Sequence, residues 1–366
     1  MERYDTVVIG GGQAGLTAGY YLSQQEESFV ILDANERVGD AWRKRWDSLR
    51  LFTPASFSRL PGYRFPAPRW SFPTKDEFAD YLESYAARFD LPVETGVTVD
   101  RLTRNGERFV VSAGDRSFEA ANVIVASGFQ QVARVPDFAT ELDPTIVQLH
   151  SSEYVNPSQL QEGDVLVVGA GNSGAEIALE LSRSHACSIS GRKTGEIPVP
   201  HGTFRARIGF RVFRFLGHRV VRVDTRLGRK LAPKLRSGGD PLIRTRSRDL
   251  AAAGVARVPR VVGARDGLPE LEDGRVADVR NVVWCTGFRT DFGWIDLPVF
   301  DGDGRPRHYR GVVESEPGLS FLGLAFQYSL SSGVLHGRGR DARYLARHIA
   351  RRRKQLPAAV PAIVAA

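Results

Sequence analysis

Two glycine-rich turns in the same register, 159 residues apart (169 − 10), constrain this chain more than any other feature. The first lies in DTVVIGGGQAGLTAGYYLSQQ. An apolar run at 7–9 enters Gly10-x-Gly12-x-x-Gly15, and a helical pattern follows with Leu16, Gly19, Tyr20 and Leu22 on one side. A second apolar run, FVILD, ends on Asp33 about twenty residues on. The second turn lies in DVLVVGAGNSGAEIALELSRS, where the run 165–168 enters Gly169-x-Gly171-x-x-Gly174, then a helix, then the strand ACSIS. Glycine serves three needs at this spacing: a tight turn, close approach of the main chain to a diphosphate, and close helix–strand packing. Free N–H groups at the helix start then favour the diphosphate. The repeat is too long for a solenoid and fits two nucleotide sites, in an α/β chain of two Rossmann-like domains.

The two units differ where the second strand ends. The first ends on Asp33, which can accept hydrogen bonds from a ribose diol. The second ends in SISGRK, with Arg192 and Lys193 where an acid is usual. A guanidinium fork there suits a ribose 2′-phosphate, with the lysine as a second point charge. The reading is NADPH at the second site and FAD at the first. Expected FAD contacts begin with Gly10, Gly12, Gln13, Ala14, Gly15 and Asp33. Expected NADPH contacts are Gly169, Gly171, Asn172, Ser173, Gly174, Ser190, Arg192, Lys193, Thr286 and Gly287.

Two later strands end in matching small-residue turns, NVIVASGF at 122–129 and NVVWCTGF at 281–288. They predict that the chain leaves the first unit near 128 and re-enters it near 281. The NADPH domain is then inserted into a discontinuous FAD domain: 1–150 and 281–366 for FAD, 151–280 for NADPH. The stretch 318–349 reads as a strand, a small-residue turn and a C-terminal helix, and the tail PAAVPAIVAA as a frayed end.

Charge is unevenly spread. The chain has a net charge of +8, yet 203–248 holds twelve Arg and two Lys against Asp224 and Asp240, an excess of +12, which leaves −4 elsewhere (8 − 12). No nucleic-acid module accompanies this basic segment, so nucleic acid is not the expected partner. Phe204, Ile208, Val212, Phe213 and Phe215 fall on a rough helical face within 204–223. That face reads as a lid over the site, a funnel for anionic substrates, a peripheral contact with an anionic membrane, or a solvated or oligomer-forming insert. The chain shows no leader and no run of eighteen apolar residues. It has only Cys187 and Cys285, which gives neither a disulfide framework nor a CxxC pair. A cytoplasmic location without a metal site is expected.

With GGGQAG, GDAWRKRWDSLRLFTPASFSRLPG (39–62), FPTKDEFADYLESYAARF (72–89), GAGNSG and the CTGF turn in hand, the chain resembles the flavin-containing monooxygenase-like flavoproteins. It is most similar to bacterial relatives of the plant indole-3-pyruvate monooxygenases, and the likeness runs over nearly the whole length. The resemblance implies that Trp42, Arg43, Leu51, Val99 and Gln327 also contact FAD, and makes Thr53, His150 and Gln327 candidates for catalytic roles. It implies hydride transfer from NADPH to FAD and oxygenation of a small organic substrate by a C4a-(hydro)peroxyflavin formed with O2. NADPH oxidation without oxygenation, or a regulatory flavoprotein without turnover, is the alternative. A family motif ahead of the second glycine turn is half present: His150 and Tyr154 match, while Pro144 and Ile146 stand in place of Phe and Gly. A disulfide reductase of the same architecture would need a dithiol, and the two cysteines lie 98 residues apart (285 − 187).

Overall fold

Each repeat builds its own sheet around a parallel centre in the computed structural model, which describes residues 1–25, 27–237 and 241–355. In the first, the strand Glu2–Ile9 is central, with Phe29–Leu32 parallel on one side and Arg116–Val125 parallel on the other. Val93–Glu94 extends the sheet beyond Phe29–Leu32, and Leu319–Phe321 pairs with the end of Arg116–Val125. The antiparallel pair Arg101–Asn105 and Arg108–Ala113 completes the other edge. Val7, Val8, Val30, Ile31 and Ile124 are buried. Burial on both faces is why these strands read as continuous apolar runs instead of alternating ones.

Helices then cover that sheet. Gln13–Leu22 lies close because Gly19 has no side chain: a Cβ there would stand 2.7 Å from Ile31. The helix Leu335–Gln355 packs its Ala342, Leu345, Ala346 and Ile349 into the same core. Lys75–Arg88 starts at Thr74, whose hydroxyl accepts from Glu77 N–H while the Glu77 carboxylate accepts from Thr74 N–H. Its inner face buries Phe78, Tyr81, Leu82 and Tyr85.

The second sheet runs Ala256–Val258, Cys187–Ser190, Val165–Val168, Asn281–Trp284, Val147–His150, all parallel. The expected α/β architecture with one Rossmann-like unit inserted in the other is therefore present. Its boundaries are not those expected. Val147–His150 and Asn281–Trp284 belong to the second sheet, so divisions at 150/151 and 280/281 cut through it. Local pattern misled here because a buried parallel strand looks the same in either sheet. The chain crosses between units after 125 and after 284, and the two linkers pair with each other as antiparallel Val132–Ala133 and Phe288–Arg289.

The basic segment leaves the second unit and lies on the first. Phe204–Phe215 is a helix capped by Thr203, followed by a widened turn at Leu216–Val220 and a further helix, Arg226–Ser237. Val223 N–H donates to the Tyr328 carbonyl and Leu330 N–H to the Val221 carbonyl, so the insert is sewn to 328–330. Contrary to a packed lid, the stripe Phe204, Ile208, Val212 and Phe215 points outward, with Phe204 72% and Phe215 62% exposed. The inner side carries Phe210 against Phe57, and Arg207 and Arg211 over the ring of Trp70. The PAAVPAIVAA tail lies outside the described residues.

Candidate functional site

The two glycine crossings have the same construction. A Cβ on Gly10 would stand 2.6 Å from the Ala126 carbonyl oxygen, and one on Gly169 2.2 Å from that of Cys285. These partners are themselves 159 residues apart (285 − 126). Gly15 and Gly174 meet the carbonyl oxygens of Gly10 and Gly169 at 1.9 and 1.8 Å in the same test. No larger residue fits these four positions without moving the main chain. By contrast, a Cβ on Gly12 or Gly171 meets nothing within 4 Å. Both cap their helices without a side-chain hydrogen bond, so first-turn N–H groups face open space on each unit. That is the geometry for a diphosphate.

At the first crossing, Asp33 follows Phe29–Leu32, buried. Its Oδ1 accepts from the main-chain N–H and side-chain amide of Asn35, both at 2.9 Å, and its Oδ2 lies beside Gly11. Trp42 Nε1 donates to Gln13 Oε1 at 3.2 Å, which fixes the glutamine at the helix start, while its ring packs edge-on to Phe78. Ala14 lies 3.5 Å from a Cβ built on Gly323, and Arg338 Nε lies 3.9 Å from the same point. Arg338 is buried; its Nη2 donates to the Gly333 carbonyl at 3.4 Å, while its Nε and Nη1 have no partner among the described residues. Burial pushes its guanidinium down to about 10. An uncompensated buried cation costs several kcal/mol, so this arginine fits an anion held at the start of the Gln13–Leu22 helix. The diphosphate of FAD meets that requirement. The sequence reading missed Arg338 because HGRGRDARYLARH offers several arginines and only packing singles one out.

The Arg43 guanidinium is engaged by Asp40, Asp80, Glu83 and the Val38 carbonyl, so it braces 38–43 against Lys75–Arg88. Leu51 is buried and Val99 packs against the core of the first sheet. Gln327, buried, accepts from Gly323 N–H and Leu324 N–H and donates to the Arg310 carbonyl. Its amide is spent on holding the Gly323 turn. Thr53 Oγ1 lies 2.9 Å from Ser58 Oγ, and His201 from the insert hydrogen-bonds the adjacent Phe52 carbonyl at 2.9 Å.

At the second crossing, Arg192 and Lys193 are exposed and make no hydrogen bond or ion pair among the described residues. Arg257 on the neighbouring strand donates to the Gly191 carbonyl at 2.9 Å and adds a third cation that the sequence reading did not name. Ser190 is consumed internally: it donates to the Pro259 carbonyl and accepts from Val261 N–H. Asn172 holds 241–243 through Pro241 and Ile243. Ser173 is half-buried in the first helical turn. Thr286 donates to the Arg134 carbonyl, which ties the two linkers together.

His150 is a pin at this crossing. Its Nε2 donates to the Gly287 carbonyl at 3.0 Å, and its Nδ1 lies 2.7 Å from Ser152 Oγ and 3.2 Å from Ser152 N–H, from which only the neutral ring can accept. Burial holds its pKa below the ordinary 6.5. Tyr154 is fully buried and donates to Glu180 at 2.8 Å. Cys187 and Cys285 are free, and burial pushes the Cys187 thiol up to about 12 and Cys285 further in the same direction. Neither supplies a thiolate for disulfide exchange.

Residues 7–195 match the model of the family described as pyridine nucleotide-disulphide oxidoreductase. The uncharacterized oxidoreductase CzcO-like protein of Geobacillus kaustophilus is 42% identical over 93% of this chain and 97% of its own length. The probable indole-3-pyruvate monooxygenase YUCCA3 of Arabidopsis thaliana is 29% identical over 95% of this chain and 87% of its own. Among solved structures, the flavin-containing monooxygenase from Stenotrophomonas maltophilia superimposes with a TM-score of 0.78 at 30% identity, over 96% of this chain and 99% of that one. Cyclohexanone monooxygenase at 16–18% identity, and bacillithiol disulfide reductases at 13–15%, share the fold. FAD and NADPH are the cofactors of this group. With two equivalent crossings, an orphaned arginine at one and unpaired cations at the other, the chain belongs to the pyridine nucleotide-disulphide oxidoreductase family and is an oxidoreductase of the flavin-containing monooxygenase-like kind.

Proposed function

We propose that the chain is a monooxygenase that takes reducing equivalents from NADPH through FAD and inserts one oxygen atom of O2 into a small organic substrate. The observation that carries this reading is the opposite charge at two crossings of identical construction: Asp33 at one, unpaired Arg192 and Lys193 at the other. FAD, when bound, supplies the passage of electrons from the nicotinamide to O2; the protein's task is to bind, orient and keep water out.

Gly12 and Arg338 would hold the diphosphate of FAD and Asp33 its ribose, with Gln13 fixed for contact by Trp42. Gly171 would approach the diphosphate of NADPH, with Arg192 and Lys193 on its 2′-phosphate. The insert is tied to the first unit at two places, through His201 on Phe52 and through Val221–Val223 on 328–330. Thr53 sits beneath the first of these contacts with its hydroxyl held by Ser58. His150 and Gln327 act as positioning residues, since each uses its polar atoms on the main chain of a crossing or turn. No thiol, acid or nucleophile of the protein is required to react.

The test is a substrate screen, 2-oxo acids including indole-3-pyruvate among the compounds, that follows NADPH consumption, peroxide release and incorporation of label from 18O2. Labelled product formed in step with NADPH supports the reading. NADPH oxidation that ends wholly in peroxide with every compound would make the chain an NADPH oxidase, and retention of both nucleotides without turnover would make it a regulatory flavoprotein.

A further inference from the structure

Between the basic insert and the first unit lies a cleft of about 550 Å³ lined by Arg211, Arg214, Arg219, Arg222, Arg310 and Arg340, with His218, Phe215 and Tyr328. Among the described residues no carboxylate lines it. Asp224 pairs with Arg222 and Asp341 with Arg340, which leaves an excess of four positive charges (6 − 2). Among the described residues Arg211, Arg214, Arg219 and Arg310 form no ion pair.

Aromatic rings and hydroxyl groups help to hold two of the cations in place. Arg310 stands between the rings of Tyr328 and Tyr344, 3.8 Å from each centroid, and its Nε is buried without a partner among the described residues. It is one of few non-glycine residues with positive φ, at 55°. Arg340 also lies over Tyr328, at 4.7 Å, and donates to Ser329 Oγ at 2.8 Å. Burial, and then the nearby Arg340, Arg214 and Arg219, push His218 down to about 4, so the ring stays neutral amid the guanidinium groups. Like charges gathered without counterions are unfavourable until an anion joins them. One carboxylate would answer one of the four; a phosphate monoester carries close to two charges and three acceptor oxygens.

We propose that this cleft binds a ligand through a phosphate group, the guanidinium forks of Arg214, Arg219 and Arg310 taking its oxygens and the rings of Tyr328 and Phe215 its organic part. The site is separate from the 2′-phosphate site at Arg192, which lies at the end of the second sheet. The phosphate can belong to a soluble ester or to a lipid headgroup. Phe215 serves both the cleft and the exposed stripe of Phe204, Ile208 and Val212, which is how a lipid would be met from its acyl side.

The test uses protein loaded with FAD and NADP+, so that both nucleotide sites are filled, in two arms at fixed ionic strength. In one, calorimetry measures binding of inorganic pyrophosphate, with acetate as comparator. In the other, the protein is sedimented with phosphatidylcholine vesicles with and without phosphatidic acid. Pyrophosphate is expected to bind at one site per chain, and Arg214→Gln with Arg219→Gln to weaken it about a hundredfold, roughly tenfold per guanidinium removed. Arg205→Gln, on the same helix but outside the cleft, should change it less than about twofold. Capture by phosphatidic-acid vesicles alone, lost in the same double variant, assigns the phosphate to a lipid; pyrophosphate binding without vesicle capture assigns it to a soluble ester. No saturable binding in either arm, or equal weakening by Arg205→Gln and the cleft variants, overturns the proposal. NADPH oxidation by the same preparations reports separately on the nucleotide sites.

Discussion

The two crossings are built from one plan and differ in their charge. Gly10, Gly15 and Ala126 in the first unit stand as Gly169, Gly174 and Cys285 do in the second, each pair 159 residues apart. The linker glycines match too: the carbonyl of Gly128 accepts from Gln131 at 2.9 Å and that of Gly287 from His150 at 3.0 Å. Around this shared frame the first crossing buries its cation, Arg338, while the second exposes Arg192 and Lys193. A buried guanidinium has one large effect and little tolerance; exposed ones are screened by water and act in small increments. On the proposed function, the first site would retain its ligand through many turnovers and the second would exchange one.

The sharpest way to break this contrast is Arg338→Met. Removing a buried cation whose one hydrogen-bond partner is the Gly333 carbonyl, and which no acid pairs among the described residues, should raise the melting temperature of the flavin-free protein while weakening FAD about a hundredfold or more, roughly the 3 kcal/mol of a buried charged hydrogen-bond pair. Calorimetry of flavin-free protein and flavin titration check both signs. If the flavin-free variant is less stable, the arginine has another partner. Next come Gly12→Ala and Gly171→Ala, where the new methyl group meets only open space and both glycines have negative φ, so the fold should hold. Each should weaken its own nucleotide by about thirtyfold (~2 kcal/mol) and leave the other nearly unchanged. Crossed or equal losses would show that the two sites do not act independently.

A smaller effect is expected at the exposed cations. Arg192→Ala should raise the KM for NADPH about tenfold and leave NADH within about twofold, the exposed position limiting the size. Steady-state kinetics with both nucleotides decides it. Smallest is the pH response of the second crossing. The unfolded chain binds a proton on His150 near 6.5 and the folded chain only at lower pH, so its contribution to stability is intact above 6.5 and is lost as pH falls below it. The protonated ring can no longer accept from Ser152 N–H. NADPH binding should therefore weaken a few-fold between pH 7 and 5.5 relative to FAD binding, and His150→Gln should flatten that difference.

Much of this was legible in the sequence because glycine and buried parallel strands leave local marks. Gly10, Gly15, Gly169 and Gly174 were found by spacing alone, and each proves to be a place where a Cβ would strike main chain. Sheet membership was not legible: NVVW at 281–284 resembles NVIV at 122–125, yet they belong to different sheets, a distinction made by long-range pairing. Side-chain positions were legible only where they depend on strand ends. Asp33, Arg192 and Lys193 are in that class. Arg43 and Gln327 are not, since what they touch is decided by Lys75–Arg88 and by Arg310, remote in the chain. The outward stripe of 204–215 shows the same limit, for periodicity finds an apolar face but not the side on which the rest of the protein lies.

The paired linkers have a consequence for how such proteins can be recombined. Because Val132–Ala133 and Phe288–Arg289 run side by side as a two-stranded ribbon, the inserted unit starts and finishes at nearly one point. A segment with adjacent ends can be lifted out and replaced by another of different length without straining its host. The ribbon is thus a natural splice site: grafting 134–287 from a relative with an acid in place of Arg192 should transfer the choice of nicotinamide nucleotide as a single piece of gene.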